Sequence, residues 1–328
     1  MKIQMKKLAS ALIGVALATS ATTLLARDYR SADNQPKDFP TVMAVKHMGE
    51  VLAKDSGGKQ GVKVFSDGQL GSEKDTIEQV KIGAIDMVRV NIANFLTMAP
   101  ETQTVSLPFI FRSKEHHLAV INGPIGDKIL ASLEKVGYIG LAMYDSGARS
   151  LYAKKPIKNL NDTKGMKIRV QPSDLWVDLV KAMGATPTPI PYAEVYMALK
   201  TGLVDAAENN YPSFDTAKHF ESAQYYSETF HVMSPEVLVF SKKIWDTLKP
   251  EEQKNIRKAA KESVAVYNKL WGAKENASKE AVIKGGAKII PAAEVDHKGF
   301  VDAQKPVWDK YANTPELKAL VQEIVNTK

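Results

Sequence analysis

In GMKIRVQPSDLW (165–176), Met166, Ile168 and Val170 alternate with Lys167, Arg169 and Gln171 before Pro172 stops the run, which sets Arg169 two residues from the end of that run. That alternation is the period-two pattern of a strand. A guanidinium buried on a strand is costly without a partner, but at the carboxyl end of a strand in an α/β sheet it points into the crevice where ligands bind. A second arginine, Arg149, follows Gly147 in the turn GARS, ahead of a strand at 151–153. On adjacent strands of one sheet the two would repel unless an anion lay between them, or unless each met a local acid such as Asp145 or Asp174. The anion that suits a guanidinium fork is a carboxylate, held by charge-assisted bonds worth about 1.5–3 kcal/mol each.

Other polar residues fall at strand ends. Asn209 lies where Glu208 to Tyr211 closes a buried strand; it reads as a ligand contact or, with Asn210, as a turn residue that tolerates left-handed backbone. Arg89 and Asn91 read as ligand contacts or as a latch between lobes. Trp176 and Tyr192 read as core, or as a face on which a sugar ring stacks.

Catalytic signatures are missing. The sequence holds no HExxH, GxSxG, Walker loop or GxGxxG. His116 and His117, in RSKEHHLAV, could ligate a metal, but adjacent histidines at a helix start are expected as solvated side chains, and no metal or cofactor is implied. Without a single cysteine, the chain has no thiol catalysis, thiolate-bound metal or disulfide.

The elements that would place these residues alternate between helix and strand. Val42, Val45, Met48 and Leu52 share one helical face, and 62–65 reads as a strand. Ser72 with Asp75 opens the next helix, and a strand follows at 84–90. Such a strand, helix, strand unit is expected to be parallel with a right-handed crossover. A second unit runs from a strand at 168–171 through a helix from Ser173 to Met183, an extended segment at 186–190 and a helix at 193–200 to a strand at 203–207. VKIGAIDMVRVN (80–91) and LKTGLVDAAENN (199–210) repeat one pattern, with Gly83 and Gly202 as helix stops and Asp86 and Asp205 early in the next strand. Two similar lobes leave a cleft between them, with Asn91, Arg169 and Asn209 converging at the strand ends. The segment 250–284 is rich in helix formers and ends at Gly285-Gly286. At 1.5 Å per residue it would run about 50 Å, enough to brace both lobes, and it lacks the sustained heptads of a coiled coil.

Lys2, Lys6 and Lys7 precede LASALIGVALATSATTLLA (8–26), the charge, apolar run and small-residue end of a signal peptide cleaved near Ala26. Thr19, Ser20, Thr22 and Thr23 interrupt that run, which argues against a membrane anchor. The mature chain is therefore expected in the periplasm. Loss of the three lysines takes the net charge from +7 to +4. No block of like charges suggests a nucleic-acid surface, and the mild excess favours a small anionic ligand. About 300 mature residues suggest two domains and can bury a core without disulfides.

From FSDGQLGSEKDTIEQV through VSLPFIFRS, GARSLYAKKPI, KIRVQ, PTPIPYAEVY, VDAAEN and PEVLVFSKKIW to the long helix, the sequence resembles the solute-binding proteins of tripartite ATP-independent periplasmic (TRAP) transporters, the C4-dicarboxylate and sialic-acid-binding family. The resemblance implies a two-lobe α/β periplasmic binding protein that closes over a carboxylate and presents it to a membrane permease. Lobe I would hold 27–146 and 234–273, lobe II 147–233 and 274–328, with hinge crossings near Ser146 and Ser234 and the long helix spanning both. The family's anchoring arginine falls on Arg169, its second arginine on Arg149 and its carboxylate-binding asparagine on Asn209. Sialic-acid binders look to have a glutamate where this chain has Asn91, and the usual VDG is here Val204-Asp205-Ala206. RVN, ENN and DSGARS look like the branch for sugar acids such as glucuronate and galacturonate, with Asp33, Glu73, Arg89 and Asn91 reading hydroxyls. A C4-dicarboxylate or keto-acid binder, and a periplasmic enzyme acting on sugar acids, are the alternatives.

Overall fold

The computed structural model describes residues 27–328, so the leader expected at 1–26 lies outside the described residues. In chain order the strands are β1 (Arg27–Ala32), β2 (Gln60–Phe65), β3 (Met87–Asn91), β4 (Tyr138–Tyr144), β5 (Arg149–Ala153), β6 (Lys167–Val170), β7 (Thr186–Pro189), β8 (Ala206–Asn209), β9 (Tyr225–Val232), β10 (Glu236–Ser241) and β11 (Lys288–Ile290). They form two sheets. One runs β2, β1, β3, β10, β4 and the other β7, β6, β8, β5, β9, β11.

The two sheets follow one plan. Each has three parallel strands and then an antiparallel strand that has just arrived from the other sheet: β10 against β3, and β5 against β8. The chain crosses at 145–148 and returns at 233–235. The sequence repeat explains the match. Gly83 and Gly202 end their helices at φ +76° and +78°, a left-handed turn that suits a residue without Cβ. Asp86 Oδ2 accepts from Arg30 N at 2.9 Å and Asp205 Oδ2 from Lys167 N at 2.8 Å, so each aspartate pins the parallel neighbour at the same point.

Ser72 and Asp75 form a reciprocal capping box that starts the helix Glu73–Lys81 and sets Glu73 in its first turn. Ser173 occupies the corresponding place before Asp174–Ala182 but makes no cap bond. The long helix spans Pro250–Lys284. It packs on the helix Pro40–Asp55 and β4 of the first sheet, then on the helix Tyr211–Thr216 of the second, so it joins both halves.

Several features depart from the sequence expectations. β1, a segment for which the sequence pattern offers no element, lies in the interior of the first sheet; RDYRSA lacks a run of β-branched residues, and its neighbours on both sides hold it extended. The last helix, Pro315–Asn326, expected with the second lobe, packs on residues 100–106 and the helix Pro124–Ser132. His116 and His117 are not solvated. Both are buried, His116 Nε2 lying 2.8 Å from Ile324 O and His117 Nδ1 3.2 Å from Asp145 Oδ1. The last helix meets His116, and Asp145 at the first crossing meets His117.

Candidate functional site

The space between the sheets is a cavity of about 680 Å³, lined from both sides and by Tyr267 and Trp271 of the long helix. On the second sheet, β6 carries Arg169 into it. The residue is 2% exposed and, among the described residues, its guanidinium makes one hydrogen bond, from Nε to Ile190 O at 2.9 Å. Burial lowers its pKa, with Glu208 opposing, and an arginine stays charged through such a shift. The fork formed by its two terminal nitrogens is thus uncommitted, and an uncompensated buried cation is a strained arrangement that an anion relieves.

Two further donors stand beside it. Gln171, at the exit of β6, lines the cavity with its Nε2 buried and without a partner among the described residues. Asn209, at the end of β8, uses Oδ1 to accept from Asn210 N at 2.9 Å, while its Nδ2 donates to no acceptor among the described residues. Trp271 Nε1 is likewise buried and without a partner among the described residues.

Arg149 corrects an expectation. It is not on a strand adjacent to Arg169, because β8 lies between β5 and β6. Its charge meets Glu208 of that strand, with Nε to Oε2 at 2.6 Å and Nη2 to Oε1 at 2.8 Å, rather than Asp145 or Asp174. Burial alone would raise the Glu208 carboxyl, but Arg149 and His231 hold it at about 2. Arg149 also lies over the fully buried Trp176 ring, 5.0 Å from its centroid, while Tyr192 lines the cavity. Arg149 borders the cavity as a neutralised cation.

The first sheet presents the opposite charge. Arg89 on β3 donates through Nε to Asp33 Oδ2 at 3.0 Å and through Nη1 to Glu236 Oε2 at 2.6 Å and Glu73 Oε1 at 3.5 Å; a further bond joins Nη2 to Asp33 Oδ1. Asp33 does not line the cavity. It sits behind Arg89 and also accepts from Gln35 N and Thr41 Oγ1, each at 2.8 Å. Glu73 faces the cavity, with Oε2 accepting from Asn94 Nδ2 at 2.8 Å. Burial and then Glu236 push its carboxyl up to about 7 against the pull of Arg89.

Asn91 borders the cavity but its amide is fully used. Nδ2 donates to Ser234 O and Glu236 Oε1, each at 3.2 Å, and Oδ1 accepts from Ala93 N at 3.1 Å and Ser234 Oγ at 3.0 Å. Asn210 does the same on the other sheet, donating to Ser146 O and accepting from Ser213 N, both at 2.8 Å. Ser146 Oγ donates to Ser234 O at 2.6 Å and so ties one crossing to the other.

Sequence reasoning missed Glu236, Glu208 and Gln171. Gln171 was visible as the next residue on the face of Arg169. Glu236 opens an antiparallel strand, so its amino end reaches the cleft, whereas the rule applied looked only at carboxyl ends. Among the described residues no group of three or more His, Cys, Asp or Glu is placed to hold a metal, and no helix is long and apolar enough to cross a membrane.

A cleft between two α/β lobes, with an uncommitted buried guanidinium, defines a binding protein for small carboxylates. The chain belongs to bacterial extracellular solute-binding protein family 7 (DctP), whose model matches residues 31–314, and the structure is that of a TRAP solute-binding protein. A TRAP periplasmic solute-binding protein from Bradyrhizobium sp. BTAi1, solved with α/β-D-galacturonate, is 57% identical, with a TM-score of 0.90 over 92% of this chain and 100% of that one. A Citrobacter koseri relative, 36% identical, gives a TM-score of 0.89 with D-glucuronate bound (92% of this chain, 100% of that one). The same relative in its apo, open structure gives 0.80 (90% and 98%, again 36% identical). The structure of this chain is therefore nearer to the bound arrangement.

Proposed function

We propose that this protein captures a hexuronate of the glucuronate or galacturonate type in the periplasm, after loss of residues 1–26, and delivers it unchanged to the membrane permease of a TRAP transporter. The observation that carries this is the buried Arg169 guanidinium, which makes one hydrogen bond among the described residues and opens into a cavity of about 680 Å³, ample for a sugar acid. The ligand carboxylate takes that fork, with Asn209 Nδ2 and Gln171 Nε2 beside it and Arg149 behind. The ring hydroxyls face Glu73, Glu236, Asn34 and Asn94, which supply acceptors and donors from the other sheet. Asp33, Arg89 and Asn91 act through these groups: Asp33 orients Arg89, and Asn91 ties β3 to the crossing at Ser234.

Binding proceeds by closure about the crossings at 145–148 and 233–235. The carboxylate docks on the second lobe, and the hydroxyls then recruit the first, so the closed state is stabilised by contacts that it alone makes. The bound sugar acids in the related structures support the ligand class.

The test is thermal unfolding of residues 27–328 against hexuronates, aldonates, C4-dicarboxylates, sialate, keto acids and neutral sugars. A ligand at about a hundredfold its Kd adds about 2.7 kcal/mol, a shift of a few degrees. A shift with the hexuronates supports the reading; a shift confined to C4-dicarboxylates or keto acids refutes it.

A further inference from the structure

The cleft is charged unevenly. On the second-sheet wall Arg169 is a cation with no ion-pair partner among the described residues, and the charge of Arg149 is cancelled by Glu208. On the first-sheet wall one cation, Arg89, is shared by three carboxylates: Asp33, Glu73 and Glu236. Glu73 and Glu236 keep 19% and 12% of their side-chain surface open, both at the cavity. The remaining charged residues around it, Asp67, Lys74, Asp75 and Glu194, are exposed at the rim, and three of the four are acidic.

We propose that Glu236 and Glu73 form an acidic wall that admits sugar acids with one carboxylate and rejects the dicarboxylic acids of the same chain length. The proposal rests on the sugar-acid reading above and adds what the far end of the ligand must be. A hydroxyl donates to a carboxylate, whereas a second ligand carboxylate can only accept, so it leaves Glu236 without a donor. It also sets like charges together beside buried protein walls, where the repulsion exceeds its value in bulk water. Arg89 does not rescue the diacid, because all its nitrogens are already committed to Asp33, Asn34, Glu73 and Glu236.

Galactonate and galactarate are the matched probes. Both are open six-carbon acids, and they differ by a CH₂OH against a second carboxylate at one end. Calorimetric titration of residues 27–328 should show galactonate binding at least about tenfold more tightly than galactarate, and Glu236→Gln should narrow the gap to about threefold. Glu73→Gln gives the same test should the first variant fail to fold. Equal affinities in the wild type, a gap that neither substitution narrows, or no binding of galactonate would each overturn the proposal. Galacturonate and glucuronate are titrated in parallel. If both fail while galactonate still outbinds galactarate, the hexuronate reading falls and the exclusion stands.

Discussion

Glu236 and Arg149 are counterparts. Each opens the antiparallel strand of its sheet, and each pairs at 2.6 Å with a residue that the internal repeat aligns: Arg89 for Glu236, Glu208 for Arg149. The same ion pair is thus built twice with its charges exchanged. In the second sheet the pair cancels and leaves Arg169 free, whereas in the first Glu73 and Asp33 add two more carboxyl groups. One backbone plan therefore produces a cleft with a cationic side and an acidic side.

Arg169→Met should separate binding from stability. Two charge-assisted bonds of about 1.5–3 kcal/mol each would be lost, so hexuronate affinity should fall by two to four orders of magnitude. Removing an uncompensated buried charge should at the same time hold or raise the melting temperature of the ligand-free protein. Calorimetry and thermal unfolding check the two halves; affinity within about threefold of wild type would remove Arg169 from its role.

Glu208→Gln should act through the fold. It leaves Arg149 buried and unpaired, a loss of about 3–5 kcal/mol measurable by urea unfolding. The native Glu208 value of about 2 lies below the ordinary 4.5. The contribution of the pair is therefore complete above about pH 4.5 and is lost as pH falls toward 2. A wild-type protein equally stable at the two ends of that window would contradict the assignment.

Glu73 predicts two opposite pH trends. Its native value of about 7 exceeds the ordinary 4.5, so the folded state holds more protons between them and ligand-free stability falls as pH rises through that window. A ligand hydroxyl donating to Glu73 favours the ionised form, so hexuronate affinity should rise a few-fold between about pH 6 and 8, with release of a proton. The imidazoles of the second lobe do not mimic this, because burial holds His219 at about 3 and lowers His231 as well. Glu73→Gln should flatten both trends.

Gly147 lies in the first crossing at φ +62°, and a Cβ there would collide with the Glu275 carboxylate and lie 3.3 Å from the Trp271 ring. Gly147→Ala should therefore cost the closed arrangement about 1–2 kcal/mol, weakening the ligand roughly tenfold. Small-angle scattering with saturating ligand should show a more extended particle than wild type.

Much of this fold is legible in the sequence. The long helix spans 250–284 as its composition predicts, and the repeat at 80–91 and 199–210 marks the two parallel units. Arg169 is visible because a cation at a strand exit has few other reasons to be there. What stays hidden depends on non-local order. No local pattern reveals that β8 separates β5 from β6, so local spacing points Arg149 to a nearby acid, whereas its partner lies 59 residues away. The His116 environment depends on the last helix, 208 residues away in sequence, returning across the first half.

The most direct measurement is calorimetric titration of residues 27–328 with galacturonate, its methyl ester and galactose. The ester keeps every hydroxyl and removes only the negative charge. If the carboxylate is held by Arg169, galacturonate binds and the ester and the neutral sugar are at least about a hundredfold weaker. Comparable affinity for acid and ester would contradict the account at its centre.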